Sequence, residues 1–231
     1  MINKEKVMKN LTKVAVAVAA LTASAAGFAG GTDNYAQPAA PQDAFYVGLH
    51  GGFNIAKGGP SFKNDGLNKN TADYLSTGMG LGANLGYKFA LNEENAIRAE
   101  FEYTYLGNKY KGAAKNSDLN RLSQNLFMLN GIYDYSPMQE LTLSAGAGLG
   151  LAHLSTSVKN SGTKPKSETR FAMQLIAGAS YNVMPELSLG VNYKFTPVLG
   201  TKFQAESAPA SKSKVLYNNQ IELALNYFIP A

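Results

Sequence analysis

Apolar residues alternate with small or polar residues in eight segments between residue 44 and the end of the chain. The alternation is clearest from Phe45 to Phe53 and from Leu187 to Phe195. Because successive side chains of a β-strand point to opposite faces of the sheet, this pattern predicts strands that each have one apolar face. We place these strands near residues 44–56, 76–89, 96–107, 122–135, 140–154, 169–183, 186–199 and 216–229.

Little of the chain remains to cover the apolar face of such a sheet. An apolar face that meets hydrocarbon is stable only if every backbone group is paired, which requires the sheet to close on itself. Each segment also has about the length that a tilted strand needs to cross a bilayer. We therefore predict an all-β fold, an eight-stranded antiparallel up-and-down transmembrane β-barrel that occupies residues 44–231.

The segments between the strands alternate in length, which is typical of an outer-membrane barrel. Short connections are expected at 90–95, 136–139 and 184–185, whereas long polar ones separate the other strand pairs. Barrels of this class have short periplasmic turns and longer extracellular loops. An even number of strands then puts both ends of the barrel on the periplasmic side.

The first residues of the chain have the composition of a secretion signal. Residues 1–13 contain four lysines and one glutamate, and residues 14–29 are apolar or small. We predict a signal peptide at 1–29 and a flexible lead-in at 30–43. The apolar part is shorter than the ~20 residues of a membrane-spanning helix. Cleavage after Ala29 would lower the formal net charge from +5 to +2, so the basic composition does not indicate nucleic-acid binding.

Aromatic residues collect at the predicted strand ends, where amphipathic rings favour the two membrane interfaces. The predicted ring on the turn side consists of Phe45, Tyr87, Phe89, Tyr133, Tyr135, Tyr181 and Tyr227. The predicted ring on the loop side consists of Phe53, Tyr103, Tyr105, Phe171, Tyr193, Phe195 and Tyr217.

The opposite faces of the strands predict a polar lumen. An eight-stranded barrel has an interior just wide enough for side chains to fill, and inward glycines leave room for long ones. We expect a plugged polar core with a packed His50, not an open pore. In the fourth strand, which is apolar on both faces, we put Phe127 and Leu129 outward so that Asp134 points inward. Buried charges must be paired, and the predicted lumen charge network consists of Lys88, Arg98, Glu100, Glu102, Asp134, Lys194 and Glu222.

Five fragments resemble the eight-stranded outer-membrane barrel family, which includes the OmpA-type barrel domain and opacity-type "porin family" surface proteins. They are Phe45–Gly48, Asn130–Tyr135, Gly146–Gly148, Gln174–Gly178 and Ile221–Tyr227. The resemblance implies a monomer in the bacterial outer membrane that is inserted by the barrel assembly machinery and contacts membrane lipid and lipopolysaccharide. Family members commonly end in an aromatic residue, and Ile229 takes that place here.

The long connections are basic, which bears on function. Their acids are Asp65, Asp73, Asp118, Glu168 and Glu206, and their lysines are Lys57, Lys63, Lys69, Lys109, Lys111, Lys115, Lys159, Lys164, Lys166, Lys202, Lys212 and Lys214. The lysines are either ordinary solvated surface or a means of attracting anionic glycolipid or acidic host surfaces. We predict a structural protein that displays basic loops for adhesion or glycolipid contact. The alternatives are a small ion channel and a lipid A-modifying hydrolase.

One short motif supports the hydrolase alternative. His153-Leu154-Ser155 is similar to the His-x-Ser of lipid A 3-O-deacylases, which implies His153 as the base and Ser155 as the nucleophile. That family usually has Asn after the serine, where this chain has Thr156, and Glu168 would have to orient the histidine. The competing interpretation makes His153 an interfacial residue. We expect no enzyme, cofactor or metal site, since the chain has no cysteine and two separate histidines.

Overall fold

The computed structural model describes residues 42–58, 75–109, 121–157, 166–201 and 214–231. The predicted signal peptide and nearly all of the lead-in lie outside these residues. Within the described ranges, no helix has the length and hydropathy needed to cross a membrane. The strands are β1 (Ala44–Gly58), β2 (Leu75–Ala90), β3 (Asn95–Lys109), β4 (Arg121–Tyr135), β5 (Leu141–Ser157), β6 (Lys166–Met184), β7 (Leu187–Thr201) and β8 (Lys214–Pro230).

The eight strands form a closed antiparallel barrel in chain order. β8 pairs back onto β1 in a continuous register that runs from Ala44 opposite Pro230 to Gly58 opposite Leu216. Closure gives every strand a paired neighbour on both sides. The predicted fold class is confirmed, and every strand boundary lies within three residues of its predicted position.

The strands are longer than predicted at the end where the long connections lie, here called the loop end. Lys57, Lys109, Lys166, Glu168 and Lys214 lie in strands and not in loops, which corrects the sequence assignment. These residues lie beyond the segments in which apolar and polar residues alternate. The strands continue there because water can solvate polar side chains on both faces of the sheet. Apolar periodicity therefore marks the membrane-crossing part of each strand and misses its extension.

The three short connections, which define the turn end of the barrel, are held by local hydrogen bonds. Asn92 Oδ1 accepts bonds from the backbone N–H groups of Glu94 (3.0 Å) and Asn95 (2.9 Å), which closes the β2–β3 turn. Such an Asx turn mimics a backbone turn. At the loop end, Gly200 has φ 72° next to the register shift between β7 and β8, a conformation that favours glycine.

Side chains alternate between a buried lumen and an exposed apolar outer face along every strand. On β1, for example, Leu49 is 62% exposed and His50 is 4% exposed. The fourth strand has the expected orientation, with Phe127 and Leu129 outside and Asp134 inside. An exposed apolar surface that encircles the molecule would be unfavourable in water, so its natural solvent is hydrocarbon.

Candidate functional site

The centre of the lumen holds one lysine between two glutamates. Lys194 Nζ on β7 lies 2.9 Å from Glu102 Oε1 on β3 and 2.5 Å from Glu222 Oε1 on β8. All three residues are buried, and β3 lies on the opposite side of the barrel from β7. Because an unpaired buried charge is strongly unfavourable, these contacts hold opposite walls of the barrel together.

His50 borders this charge cluster. Its Nε2 lies 2.9 Å from Thr104 Oγ1, 3.8 Å from Glu102 and 4.0 Å from Glu222. The Thr104 hydroxyl donates to Glu102 Oε1 at 2.7 Å, which leaves the Thr104 oxygen to accept a bond from Nε2–H of His50. The imidazole fits only because Gly82 has no side chain, since a Cβ there would overlap His50 Nε2 and the Tyr103 carbonyl oxygen. His50 is therefore the packed lumen residue that the sequence predicts.

Glu100 has amide and phenol partners, and no cation of the described strands forms an ion pair with it. Its Oε2 accepts bonds from Tyr46 Oη and Asn84 Nδ2, each at 2.9 Å, and its Oε1 accepts one from Asn130 Nδ2 at 3.0 Å. Asn130 Nδ2 also donates to Glu102 Oε2 at 2.9 Å. The two glutamates are thus bridged by a shared amide, which links this group to the central cluster.

A separate ion pair lies toward the turn end. Arg98 donates from Nε to Asp134 Oδ2 at 2.6 Å and from Nη2 to Oδ1 at 3.0 Å, a bidentate geometry that favours arginine. Ser144 donates to the same carboxylate at 2.7 Å. Lys88 contacts no carboxylate among the described residues, and its Nζ lies 5.6 Å from the centre of the Phe228 ring. The seven predicted charges thus form two clusters, with Lys88 outside both.

Sequence reasoning missed a group of four buried amides that lies toward the loop end. Asn54 Nδ2 donates to Asn108 Oδ1 at 3.0 Å and to Asn218 Oδ1 at 3.1 Å. Gln124 and Asn218 exchange reciprocal bonds of 3.0 Å. All four occupy inward positions of their strands, so the alternation of side chains was the sequence signal that could have placed them in the lumen. Their pairing depends on the stagger between strands, which the sequence does not reveal.

The expectation of an entirely polar lumen is wrong at the loop end. An apolar cluster fills that part of the interior, with Leu126 and Met128 from β4 pointing inward. Its members are Ala56, Leu106, Leu122, Leu126, Met128, Ala152, Leu154, Ala172, Val198 and Leu216. The outward placement of Phe127 and Leu129 already turns Leu126 and Met128 inward, whereas the other members of the cluster were not predicted as lumen residues. The charged residues, together with the amides and the apolar residues that alternate around the loop end, give a side-chain-filled interior along the described strands.

The predicted aromatic residues all lie on the outer face, and several tyrosines bond polar residues on a neighbouring strand. Tyr103 Oη donates to Asn125 Oδ1 and Tyr193 Oη donates to Asn219 Oδ1, each at 2.8 Å. At the turn end, Phe45 packs edge-on against Tyr87 with ring centres 4.7 Å apart. A ring that faces outward with a bonded hydroxyl suits a membrane interface.

The geometry does not assemble the hydrolase constellation. His153 and Ser155 share the outer face of β5, but His153 Nδ1 is bonded to Thr169 Oγ1 at 3.0 Å. Glu168 points to the other face of β6, where its carboxylate pairs with Arg170 Nη2 at 2.7 Å. Glu168 is therefore on the wrong side of the sheet to orient His153. Among the described residues, no group of three or more acidic or histidine side chains could hold a metal ion.

Comparison with known proteins gives one family match. The sequence profile of the family described as "Outer membrane protein beta-barrel domain" matches residues 14–227. No curated protein is significantly similar to the chain in sequence.

Several solved structures are similar in fold. Neisserial surface protein A is 16% identical with a TM-score of 0.50, and the match covers 79% of this chain and 96% of that one. Yersinia pestis Ail, solved in complex with the heparin analogue sucrose octasulfate, is 12% identical with a TM-score of 0.43 and coverages of 79% and 99%. Pseudomonas aeruginosa OprG is 12% identical with a TM-score of 0.42 and coverages of 83% and 99%. At these identities the likeness concerns the fold alone.

Proposed function

Because the chain belongs to the outer membrane protein β-barrel family, we propose that it is a structural component of the bacterial outer membrane that displays basic loops to anionic surface ligands. The observation that carries this proposal is the cross-lumen contact of Lys194 with Glu102 and Glu222. Because side chains fill the interior at this level, the surfaces that remain for interaction are the outer face and the loops.

The charge distribution along the chain supports the second part of the proposal. Twelve lysines and five acids lie in the long connections or the strand ends beside them, whereas the acids Glu93, Glu94, Glu140 and Glu186 lie in or beside the short turns. In a barrel with both termini on the periplasmic side, this asymmetry puts the basic end outside the cell. A basic surface attracts sulfated, phosphorylated or carboxylated groups, and the attraction weakens as salt screens it.

The proposal is tested by binding to a sulfated dextran. Purified full-length protein in detergent should bind the polymer at low ionic strength and release it at about 1 M salt, where the screening length falls to about 3 Å. A Lys111→Gln/Lys115→Gln variant should elute at lower salt, and Glu93→Gln, which changes an acid of a short turn, should not. Equal elution of the lysine variant and the parent would contradict a role for this loop.

Planar-bilayer recordings test the filled lumen against the ion-channel alternative. We expect no sustained single-channel steps from the parent protein, because several buried side chains occupy the cross-section between β3 and β7. Reproducible steps that change in size in a Lys194→Met variant would instead assign conduction to the lumen and overturn this part of the proposal.

A further inference from the structure

The wall of the barrel is interrupted between β6 and β7 near the loop end. Coming from the turn end, cross-strand pairing on this seam is regular up to Leu175 opposite Phe195. It then lapses for two residues, resumes at Ala172 opposite Val198 and ends there, although β6 continues toward the loop end. The seam between β5 and β6 has no such break. Among the described strands, this is the longest stretch of wall without cross-strand pairing.

Pro197 explains where the pairing fails. On the other side of β7, the Phe228 N–H donates to the Glu186 carbonyl oxygen at 2.7 Å, and the register between β7 and β8 is constant from Leu187 to Val198. Hydrogen-bonded pairs of an antiparallel ladder occur at every second residue. The N–H groups of even-numbered residues on β7 therefore face β8, and those of odd-numbered residues face β6. Because proline has no N–H, Pro197 removes one of the donors that would hold β7 to β6.

The N–H groups of Phe171 and Thr169 on β6 face the same break. The Asn182 N–H donates to the Glu140 carbonyl oxygen at 2.8 Å, and the register between β5 and β6 is unbroken. Even-numbered N–H groups of β6 therefore face β5, and odd-numbered ones face β7. Neither Phe171 nor Thr169 pairs with a described residue of β7. Opposite them, the φ of 72° at Gly200 and the shifted register toward β8 bend β7 out of a regular ladder.

Two buried side chains at the break also lack hydrogen-bond partners. Gln174 Oε1 on β6 and Thr196 Oγ1 on β7 are both buried, and neither atom has a partner in the described part of the chain. The amide nitrogen of Gln174 does have one, since it donates to Glu102 Oε2 at 3.3 Å. Buried polar atoms without a partner are uncommon and unfavourable. Backbone pairing and side-chain pairing therefore fail at the same level of the wall.

The wall at the break is apolar on both faces. Met173 and Phe171 are exposed on the outer face, and Ala172 and Val198 point inward as members of the apolar cluster at the loop end. Separation of the strands here would expose these inward side chains to hydrocarbon and not to water, which is a small change of environment for an apolar group. It would also break a single cross-strand pair, Ala172 with Val198.

The central charge cluster limits how far such a separation can spread. Lys194 on β7 lies opposite Ile176 on β6, next to the last regular pair below the break. Its ammonium group is held by Glu102 on β3 and Glu222 on β8. These contacts anchor β7 from the lumen side, and pairing with β6 continues from there toward the turn end as far as Asn182.

We propose that the wall between β6 and β7 opens locally on the loop side of the Leu175–Phe195 pair while the rest of the barrel stays closed. The opening separates the loop-end extension of β5 and β6 from that of β7 and β8, which are joined there by the single described pair Ala172–Val198. Local opening of a weakly paired element requires less free energy than global unfolding, so the open state recurs in the folded protein. The inference does not depend on the basic loops of the proposed function.

Amide hydrogen exchange of the full chain in lipid nanodiscs, resolved by NMR, tests the opening. The N–H groups of Phe171 and Thr169 face the break, whereas those of Arg170 and Ala172 lie at the same depth and face β5. We expect the first two to exchange about a hundredfold faster than the second two, because opening of the β6–β7 seam leaves the β5–β6 ladder intact. Equal protection of the two sets would overturn the proposal.

Pro197→Val tests the cause, because it restores the missing N–H and keeps an apolar side chain on the outer face. Exchange at Phe171 and Thr169 should slow by about tenfold, as expected for one added ladder bond. Leu189→Val, at an outward position of β7 where the pairing is regular, is the matched control and should leave exchange unchanged. Unchanged exchange in Pro197→Val would overturn the role assigned to the proline.

Lys194→Met tests the anchor. Without the ion pairs the opening should spread toward the turn end, so exchange at Leu175 and Ala177, whose N–H groups also face β7, should quicken by about tenfold. Lys88→Met removes a lysine that contacts no carboxylate among the described residues, and it should leave these two amides as they are in the parent. Equal exchange at Leu175 and Ala177 in the two lysine variants would overturn the limit set by the charge cluster.

Discussion

Lys194 and Glu102 meet across the full width of the barrel, with Nζ of the lysine 2.9 Å from Oε1 of the glutamate. β7 and β3 are four strands apart in an eight-stranded closed sheet, so the contact joins walls that share no backbone hydrogen bonds. The packing of the interior, and not the backbone ladder alone, thus couples the two halves of the barrel.

Removal of one partner from this contact should destabilise the barrel. Lys194→Met leaves Glu102 and Glu222 close together without a cation, and breaking a buried pair in this way costs about 3–5 kcal/mol. We expect the urea midpoint of the detergent-folded protein to fall, measured by the fraction that migrates as the folded form without boiling. Glu93→Gln, in an exposed turn, is the control and should be neutral. A midpoint equal to the parent's would contradict a stabilising role for the contact.

Gly82 faces the lumen and Gly131 faces outward, so replacing each with alanine should change the stability of the barrel in opposite directions. Gly82→Ala drives Cβ into His50 and the Tyr103 carbonyl oxygen, and overpacking of this kind costs about 1–3 kcal/mol. Gly131→Ala meets nothing within 4 Å on the outer face and removes the entropic cost of glycine in a strand. The same urea titration should show a lower midpoint for the first variant and an equal or higher one for the second. A higher urea midpoint for Gly82→Ala than for Gly131→Ala would contradict the close packing of the lumen around His50.

Lipid A should keep its acyl chains in cells that produce this protein. Glu168 faces Arg170 in the lumen, and His153 Nδ1 is bonded to Thr169, so the described residues give Ser155 no assembled base and acid. Mass spectra of lipid A from producing and non-producing cells should therefore be identical. Loss of a hydroxyacyl chain that is abolished by Ser155→Ala would establish the hydrolase that this geometry disfavours.

The alternation of side chains was enough to predict the eight strands and their antiparallel closure. In β4, where both faces are apolar, the cost of placing Asp134 in lipid selected the correct face. The strand extensions were missed because Lys166 and Glu168 follow no apolar period. Sequence patterns therefore located the part of the barrel that meets hydrocarbon and little beyond it.

The internal arrangement required the register of the closed sheet. Nothing in the sequence indicates that Lys194 meets Glu102, or that Asn54 meets Asn218, because these contacts depend on the stagger accumulated around the barrel. A binary pattern also cannot distinguish Leu126, which packs in the lumen, from Phe127, which faces lipid. The signal peptide at 1–29 stays a prediction.

The central claim is that the apolar outer face is solvated by hydrocarbon. Because the chain has no cysteine, the single substitutions Leu143→Cys, Ala145→Cys, Ala147→Cys, Leu149→Cys and Leu151→Cys on the outer face of β5 give unique sites for a nitroxide spin label in lipid vesicles. At odd-numbered positions we expect high accessibility to oxygen, which dissolves in hydrocarbon, and low accessibility to a water-soluble nickel chelate. Nickel accessibility at Leu149→Cys equal to that of a label in the Leu91–Asn95 turn would place the outer face in water and contradict the account.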